Sequence, residues 1–512
     1  MAGALTIPPL TKEQIAALSA VMKRWPDKMG RLREGFYTIR DKEGREVPFR
    51  MNPDQEDFLV NRHGLDIMLK ARQKGMTTVI QIDMLDDCLF IPNISAGVIA
   101  HNLDDAKAFF ADKIKFAYDR LPVEFKALVP AEQDAAASMK FGNGSSIRVG
   151  TSLRSGTLQR LHVSEYGKLC AKFPEKAREV KSGAFNTVQA GQRITVESTA
   201  EGHSGHFYDL CEAARKKAQS GSPLTALDFK FHFSPWFTSA EYQLADDVGE
   251  TREMQEYFDK IAPYAFEAHG VVLTRQQRAW YVKKAEQQGD DVRREYPSTP
   301  DEAFEASVEG AYFAPQMAKM RQQGRICRIP ILDAPVYTSW DLGYNDCMAI
   351  CFWQDVGMER RLIDYYENSG EGWGHYAAIL QQRGYNYSRH WMPHDADHHM
   401  LNVIATTRKQ EAEKAGIYPI EVLQRIDDEL TGIDASRTFL PHVYVDEERC
   451  DLLIKCLDNY RKEWDDKLGT WKSRPRHDEF SHGYKSFESA AIMPRMNANA
   501  KRPSIGMRRG VV

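Results

Sequence analysis

The chain has 512 residues, 42% of them hydrophobic and 27% charged, with a net charge of −4. That length exceeds what one hydrophobic core organises, so two main domains with extensions are expected. The composition is that of an ordinary globular protein, and it provides no overall basic field for nucleic acid, although a local grip needs only local patches.

No run of about 18 apolar residues marks a membrane span. The opening MAGALTIPPLTKEQ lacks the basic start and apolar block of a secretory signal. The eight cysteines are scattered without a CxxC, as expected of reduced thiols in a cytosolic protein.

Residues 1–50 read as an appendage. TKEQIAALSAVMKRW suggests a short amphipathic helix with Thr11 as N-cap, and FYTIRDKEGREVPFRMN two strands around the turn Asp41–Gly44. Over residues 51–300 the apolar stretches DIMLKA, AGVIAHN, SIRVGTS, QRLHVSE and QRITVEST alternate with helical ones, then give way to charged helices. Alternation of this kind predicts an α/β domain with a mostly parallel sheet. The prolines of YPSTPDEAF break the helical pattern, which places a linker at 301–330.

From residue 331 the order changes. VYTSWDLG, MAICFWQ and RRLIDYYE read as three consecutive strands, followed by the helix GWGHYAAILQQRG and the strand SRHWMPHDA. Three antiparallel strands, a helix and a parallel strand predict a ribonuclease H-like mixed-sheet domain over 331–492. The last residues, 493–512, form a small basic tail that includes Arg508 and Arg509, expected to be solvated.

The segment Lys70-Ala71-Arg72-Gln73-Lys74-Gly75-Met76-Thr77-Thr78 follows a strand and precedes a helix, which is the context of a phosphate cradle. Met76 stands where the usual lysine would be, so Lys70, Arg72 and Lys74 are the candidate cations. Thr77 is the natural Mg²⁺ hydroxyl, with Thr78 beside it. Roughly 90 residues on, the strand LHVSE ends in Glu165, a candidate general base. Ser164 occupies the position where many ATPases carry a metal-binding aspartate. Arg154, in the loop RSGT, is a candidate arginine finger.

In the second domain, hydrolysis of a phosphodiester by two metals needs carboxylates converging on cations roughly 4 Å apart. Asp341 at the first strand, Asp395 at the end of the fourth and Asp478 at the start of the last helix meet that need, and Mg²⁺ or Mn²⁺ suits such ligands. Asp346, Asp397 and Glu479 lie close by. His394, His398, His399, His477 and His482 crowd the same segments, but without HExxH or paired cysteines a zinc site ranks below carboxylate chemistry.

Taken in order, these motifs resemble those of large subunits of tailed-phage terminases. ARQKGMTT is similar to their deviant phosphate loop, and Asn52-Pro53-Asp54-Gln55 to their adenine-contacting motif. ITVESTA resembles the coupling motif that senses the γ-phosphate, which implicates Ser198 and Thr199. WDLGYND, PHDA and HDEFSH resemble the nuclease motifs, although an aspartate that relatives carry after SH is absent here.

The resemblance runs over about residues 50–490 and implies a P-loop ATPase motor fused to a metal-dependent endonuclease. It points to Arg72 or Lys70 for the phosphates. ATP with one Mg²⁺, and two ions in the nuclease, are the implied cofactors. Implied partners are double-stranded DNA, the procapsid portal protein, a small terminase subunit and further copies in a ring of about five. The implied location is the host cytoplasm, transiently at the portal vertex.

Basic stretches at Lys216–Lys217, Arg293–Arg294 and Lys472–Arg476 are candidate DNA contacts. Three alternatives stay open. A repair helicase-nuclease would need a second motor domain, a transposase would leave the ATPase motifs unexplained, and an assembly protein would carry an inactive nuclease.

Overall fold

The computed structural model describes residues 11–154, 156–305, 310–343, 347–398, 406–426, 428–465 and 470–493. The chain divides into two units, Met1–Ser307 and Val308–Val512. Asp346, His399, residue 155 of the RSGT loop and the tail with Arg508 and Arg509 lie outside the described residues.

The sheet of the first unit contains β1 (Leu65–Lys70), β2 (Ser95–Ile99), β3 (Ala131–Ala135), β4 (Ser138–Phe141), β5 (Ser146–Gly150), β6 (Leu158–Ser164), β7 (Val188–Ser198) and β8 (Lys230–Ser234). Their order across the sheet is β8-β1-β7-β6-β2-β5-β4-β3. Neighbours from β8 to β5 are parallel, and a hairpin adds two antiparallel strands at the far edge. Every residue of β1 is buried, as a central parallel strand covered on both faces requires.

Around the sheet lie α1 (Pro53–Asn61), α2 (Met76–Phe90), α3 (Tyr166–Lys172), α4 (Arg252–His269) and α5 (Arg275–Gln288). The strand β8, KFHFS, is short and half-buried and escaped the sequence reading.

The N-terminal segment is not an appendage. Leu32, Phe36, Tyr37 and Phe49 are buried in the same core as α2. Three acids of α2, Asp83, Asp86 and Asp87, are themselves buried. Arg31 meets Asp86 through two hydrogen bonds of 2.7 and 2.9 Å, and Tyr37 donates to the same carboxylate at 2.7 Å. Lys28 and Arg62 serve Asp83, and Lys28 and Arg193 serve Asp87. Buried carboxylates without such partners would be strongly unfavourable, so this segment belongs to the domain energetically.

In the second unit the strands are β9 (Ile326–Cys327), β10 (Val336–Asp341), β11 (Cys347–Val356), β12 (Glu359–Ser369), β13 (Tyr387–Met392), β14 (Ile420–Val422) and β15 (Val443–Asp446). They run β9-β15-β12-β11-β10-β13-β14 across the sheet. β10, β11 and β12 are antiparallel neighbours, and after α6 (Trp373–Arg383) the chain returns as β13 parallel to β10. That is the ribonuclease H-like arrangement expected from the strand pattern. Helices α7 (Glu429–Phe439), α8 (Asp451–Asn459) and α9 (Glu479–Ile492) also belong to the unit. Ser339 donates to the Ser486 carbonyl at 2.7 Å and fixes α9 to β10.

The stretch expected as a linker is packed at both ends. Ala303 and Phe304 are buried in the first unit, and Phe313, Met317 and Met320 in the second. All eight cysteines are free thiols.

Candidate active sites

In the first unit, β1 delivers the loop Ala71–Gly75 to the N-terminus of α2. Two of its residues adopt left-handed backbone, Gln73 at φ +55° and Gly75 at φ +73°. Such turns point backbone N–H groups into a concavity suited to an anion, and the helix terminus adds to it. A Cβ on Gly75 would lie 2.6 Å from Gln55 Nε2, the movable end of a side chain, so the positive φ is the stronger reason for glycine there.

The loop's cations are sorted by their partners. Arg72 is paired with Glu295 and half-exposed. Lys74 is buried and donates to the Pro235 carbonyl at 3.0 Å and Thr238 Oγ1 at 2.8 Å, and it also pairs with Asp54. Burial pulls its ammonium below the ordinary value. Gln55 is likewise engaged: its Nε2 donates to the Gly75 carbonyl at 2.9 Å, and its Oε1 accepts from Asn52 N. Arg72, Lys74 and Gln55, each expected to contact nucleotide, brace the loop through these partners.

Lys70 is the central cation. Its Nζ lies 3.1 Å from Glu165 Oε1 and 3.1 Å from Glu197 Oε2. Burial opposes the charge, but the two carboxylates outweigh it and raise the ammonium above its usual value. Glu165 follows directly on β6 and has a left-handed backbone, φ +53°. For a glutamate that conformation costs on the order of 1–3 kcal/mol, and strain of this kind gathers at functional sites.

Glu197 is the residue the sequence reading missed. It is fully buried on β7, in register with Met68 of β1 and Ser164 of β6. Thr77 Oγ1 and Ser164 Oγ both donate to its Oε1 at 2.8 Å, and His162 Nε2 lies 3.3 Å away. Burial pushes its carboxyl up, yet Lys70 and the hydrogen bonds hold it well below the carboxylate range. The available signal was a charged residue inside the otherwise apolar strand ITVES.

Because side chains alternate along a strand, Ser198 points to the other face. A Cβ on Gly167 of α3 would approach Ser198 Oγ to 2.9 Å and the Thr199 carbonyl to 2.8 Å. Ser198 and Thr199, expected to sense the γ-phosphate, are buried against α3. Thr78 sits in the first turn of α2, and Met76 is buried. Arg154 pairs with Glu179 at 3.0 Å.

Beside the loop is a cavity of about 680 Å³, lined among others by Phe58, Met68, Met76, His232, Phe237 and Gln277.

In the second unit Asp341 ends β10, and Asp395 lies in the turn His394–Asp397 directly after β13. The two strands are parallel neighbours, so both acids leave the same sheet edge. They share a cavity of about 260 Å³ with Glu429, Lys485 and Glu488. Burial raises the Asp341 carboxyl, and the charge of Asp395 adds to that against His482, whose Nδ1 lies 3.0 Å away. Asp395 accepts from Arg408 at 2.6 Å. Lys485 pairs with Glu488 at 2.9 Å.

Asp478 does not join this pair. It caps α9, accepting from Phe480 N at 3.1 Å, and lies 3.3 Å from Arg476 Nε. Neither cavity that includes Asp341 is lined by it. On α9, His482 approaches Asp341 and Lys485 lines the cavity, while Asp478 is the N-cap residue, held by Phe480 N and Arg476. Among the described residues no three of His, Cys, Asp and Glu are gathered as a metal-ligand set. Glu429 and Glu488 were not singled out from the sequence; each lies on a helix with nothing in the local pattern to mark it.

Of the candidate DNA contacts, Arg294 is buried and paired with Glu295 at 3.0 Å, and Lys472 is paired with Glu463 at 2.6 Å. Among the described residues no helix is long and apolar enough to cross a membrane.

No family model and no curated protein matches the chain. Several solved structures are similar to it. A large terminase from a thermophilic bacteriophage, in complex with ATP-gamma-S, matches over 86% of this chain and 98% of that one, at 11% identity and a TM-score of 0.30. The large terminase ATPase domain of a Thermus phage matches over 49% of this chain and 94% of that one, at 14% identity and a TM-score of 0.30. The nuclease domain of the bacteriophage SPP1 large terminase, with bound Mn, matches over 30% and 84%, at 17% identity and a TM-score of 0.25. At these identities and scores the likenesses assign no residue role to this chain.

Proposed function

We propose that this chain is a terminase large subunit of a tailed phage: an ATP-hydrolysing motor for double-stranded DNA, with an endonuclease as its second unit. The observation that carries the reading is Lys70, buried at the end of the phosphate-loop strand and shared by the carboxylates of Glu165 and Glu197. A buried cation beneath a cradle of backbone N–H groups fits the phosphates of ATP, and Thr77 fits their Mg²⁺. The bound ion would neutralise the phosphate charge that develops on hydrolysis.

The chain's own residues do the rest. Gln55 and Asn52 hold the loop in shape from one side, and Arg72 and Lys74 tie it to the segment around Pro235 and Glu295. Glu165, partly exposed beside Lys70, is placed to accept a proton from water. The adjoining cavity is large and apolar enough to take a purine.

In the second unit Asp341 and Asp395 supply oxygen donors of the kind Mg²⁺ or Mn²⁺ takes, and would hold the ion that activates water for phosphodiester cleavage. Double-stranded DNA is the substrate of both units on this reading. Portal protein, a small subunit and further copies of this chain are its expected partners at the procapsid vertex.

One observation favours a second reading for the nuclease. Arg408, His482 and Lys485 stand at the acids, and Asp478 is elsewhere, so the isolated chain would bind metal weakly and its nuclease would be silent. Plasmid cleavage in Mg²⁺ or Mn²⁺, comparing wild type with Asp395→Ala, separates the two. Cleavage lost in the variant supports the carboxylate nuclease, and no cleavage by either supports the silent one. ATP turnover by the same protein tests the motor, and its absence with DNA present would sink that assignment.

A further inference from the structure

Strand β6 ends in Ser164, an uncharged hydroxyl where an acid is the usual partner of a nucleotide's metal. The structure supplies an acid at that place from the neighbouring strand. Three oxygen atoms converge: Thr77 Oγ1 from the first turn of α2, Ser164 Oγ from β6 and Glu197 Oε1 from β7. Both hydroxyls donate to the carboxylate at 2.8 Å.

Two strands and a helix thus bring a carboxylate to the threonine whose position, just after a phosphate loop, is the usual one for a metal-binding hydroxyl. Burying a glutamate in the middle of a parallel sheet is unfavourable unless it is paired, and a purely apolar side chain would pack there more simply. Glu197 has 0% exposure, and its ammonium partner Lys70 is shared with Glu165. When phosphates draw Lys70 towards themselves, Glu197 is left needing another cation, and a divalent ion at Thr77 provides one.

We propose that Glu197 is the carboxylate that seats the nucleotide's magnesium ion, supplied from β7 because β6 ends in serine. The proposal rests on the nucleotide reading given above. It makes Ser164 a positioning residue that orients the carboxylate, and leaves Glu165 free to act on water.

The test uses the full chain and a fluorescent ATP analogue, titrated in excess EDTA and in excess Mg²⁺, with ATP turnover measured alongside. Bound Mn²⁺–nucleotide is also observed by electron paramagnetic resonance. Glu197→Gln keeps the shape and removes the charge. Its affinity in EDTA should stay within about twofold of wild type, while the Mg²⁺-dependent gain of about tenfold is lost and turnover falls by about 100-fold. The Mn²⁺ spectrum should change in the same variant.

Ser164→Asp combined with Glu197→Gln should restore part of the Mg²⁺ gain. Glu197→Asp retains the charge beside Lys70, and so guards against a folding failure. It should lose several-fold of the gain without change in EDTA. A full Mg²⁺ gain and an unchanged spectrum in Glu197→Gln would overturn the proposal. So would equal loss of affinity with and without metal. Wild type that binds no nucleotide in either condition would overturn the underlying nucleotide reading instead.

Discussion

The Lys70 ammonium lies 3.1 Å from Glu165 Oε1, so the cation suited to a triphosphate and the acid suited to water are paired before nucleotide arrives. Arrival of the phosphates would break that pair and release the carboxylate. On this geometry the base is available only when its substrate is bound. Glu165→Gln should therefore bind ATP about as well as wild type and turn it over about 10²–10⁴-fold more slowly, measured by steady-state phosphate release. Equal turnover would remove Glu165 from the mechanism.

Lys70 also neutralises Glu197 in the interior. Lys70→Met should abolish nucleotide binding and destabilise the first unit by about 3–5 kcal/mol, because it leaves a buried carboxylate without its cation. Arg72→Ala, which removes a half-exposed side chain paired with Glu295, should cost much less in both respects. Urea unfolding and nucleotide titration of the two variants check the ranking.

The Arg31–Asp86 pair is a test of whether the N-terminal segment is structural. Arg31→Ala strands a buried carboxylate that keeps only Tyr37, and should cost about 3–5 kcal/mol. The double variant Arg31→Met, Asp86→Leu should recover most of that loss. Equal unfolding midpoints for wild type and Arg31→Ala would show the segment to be peripheral.

At the second site the Asp341 carboxyl is raised by burial. A carboxyl whose folded value exceeds its unfolded value favours the protonated native state. Stability from this group is therefore intact below the unfolded value, about 3.9, and falls as pH rises through the folded value. Asp341→Asn should match wild type at the acid end and be more stable at neutral pH, by thermal melting across that range. Cleavage, which needs the ionised acid, should rise over the same window.

Lys485 and Asp478 separate electrostatics from capping. Lys485→Ala removes a positive charge from the cavity of Asp341 and Asp395 and should tighten Mn²⁺ binding by about fivefold or more, by calorimetric titration. Asp478→Ala should lose about 1 kcal/mol as a helix N-cap while leaving Mn²⁺ affinity within twofold, in contrast to Asp395→Ala. A collapse of Mn²⁺ affinity in Asp478→Ala would return it to the metal site.

The sequence by itself marked β1, β2, β5, β6 and β7 of the first unit and β10 to β13 of the second, their alternation with helices, and Lys70, Thr77, Glu165, Asp341 and Asp395 as candidates. Those features are written in local order: an apolar run ending in a turn, a left-handed glycine before a helix, an acid where a strand stops. Which basic residue faces the loop was not local. Arg72, Lys74 and Lys70 lie within five positions of one another, and only partners brought from Asp54, Pro235 and Glu295 decide between them. The charge of Glu197 stands out within its strand, but its meeting with Thr77 appears only when β7 is set between β1 and β6, because strand order, not strand sequence, brings its side chain there. Asp478 likewise takes its partners from the fold: it caps α9 and lies beside Arg476. Its spacing from Asp395 says nothing of which side chains line the cavities beside Asp341, where His482 and Lys485 are found.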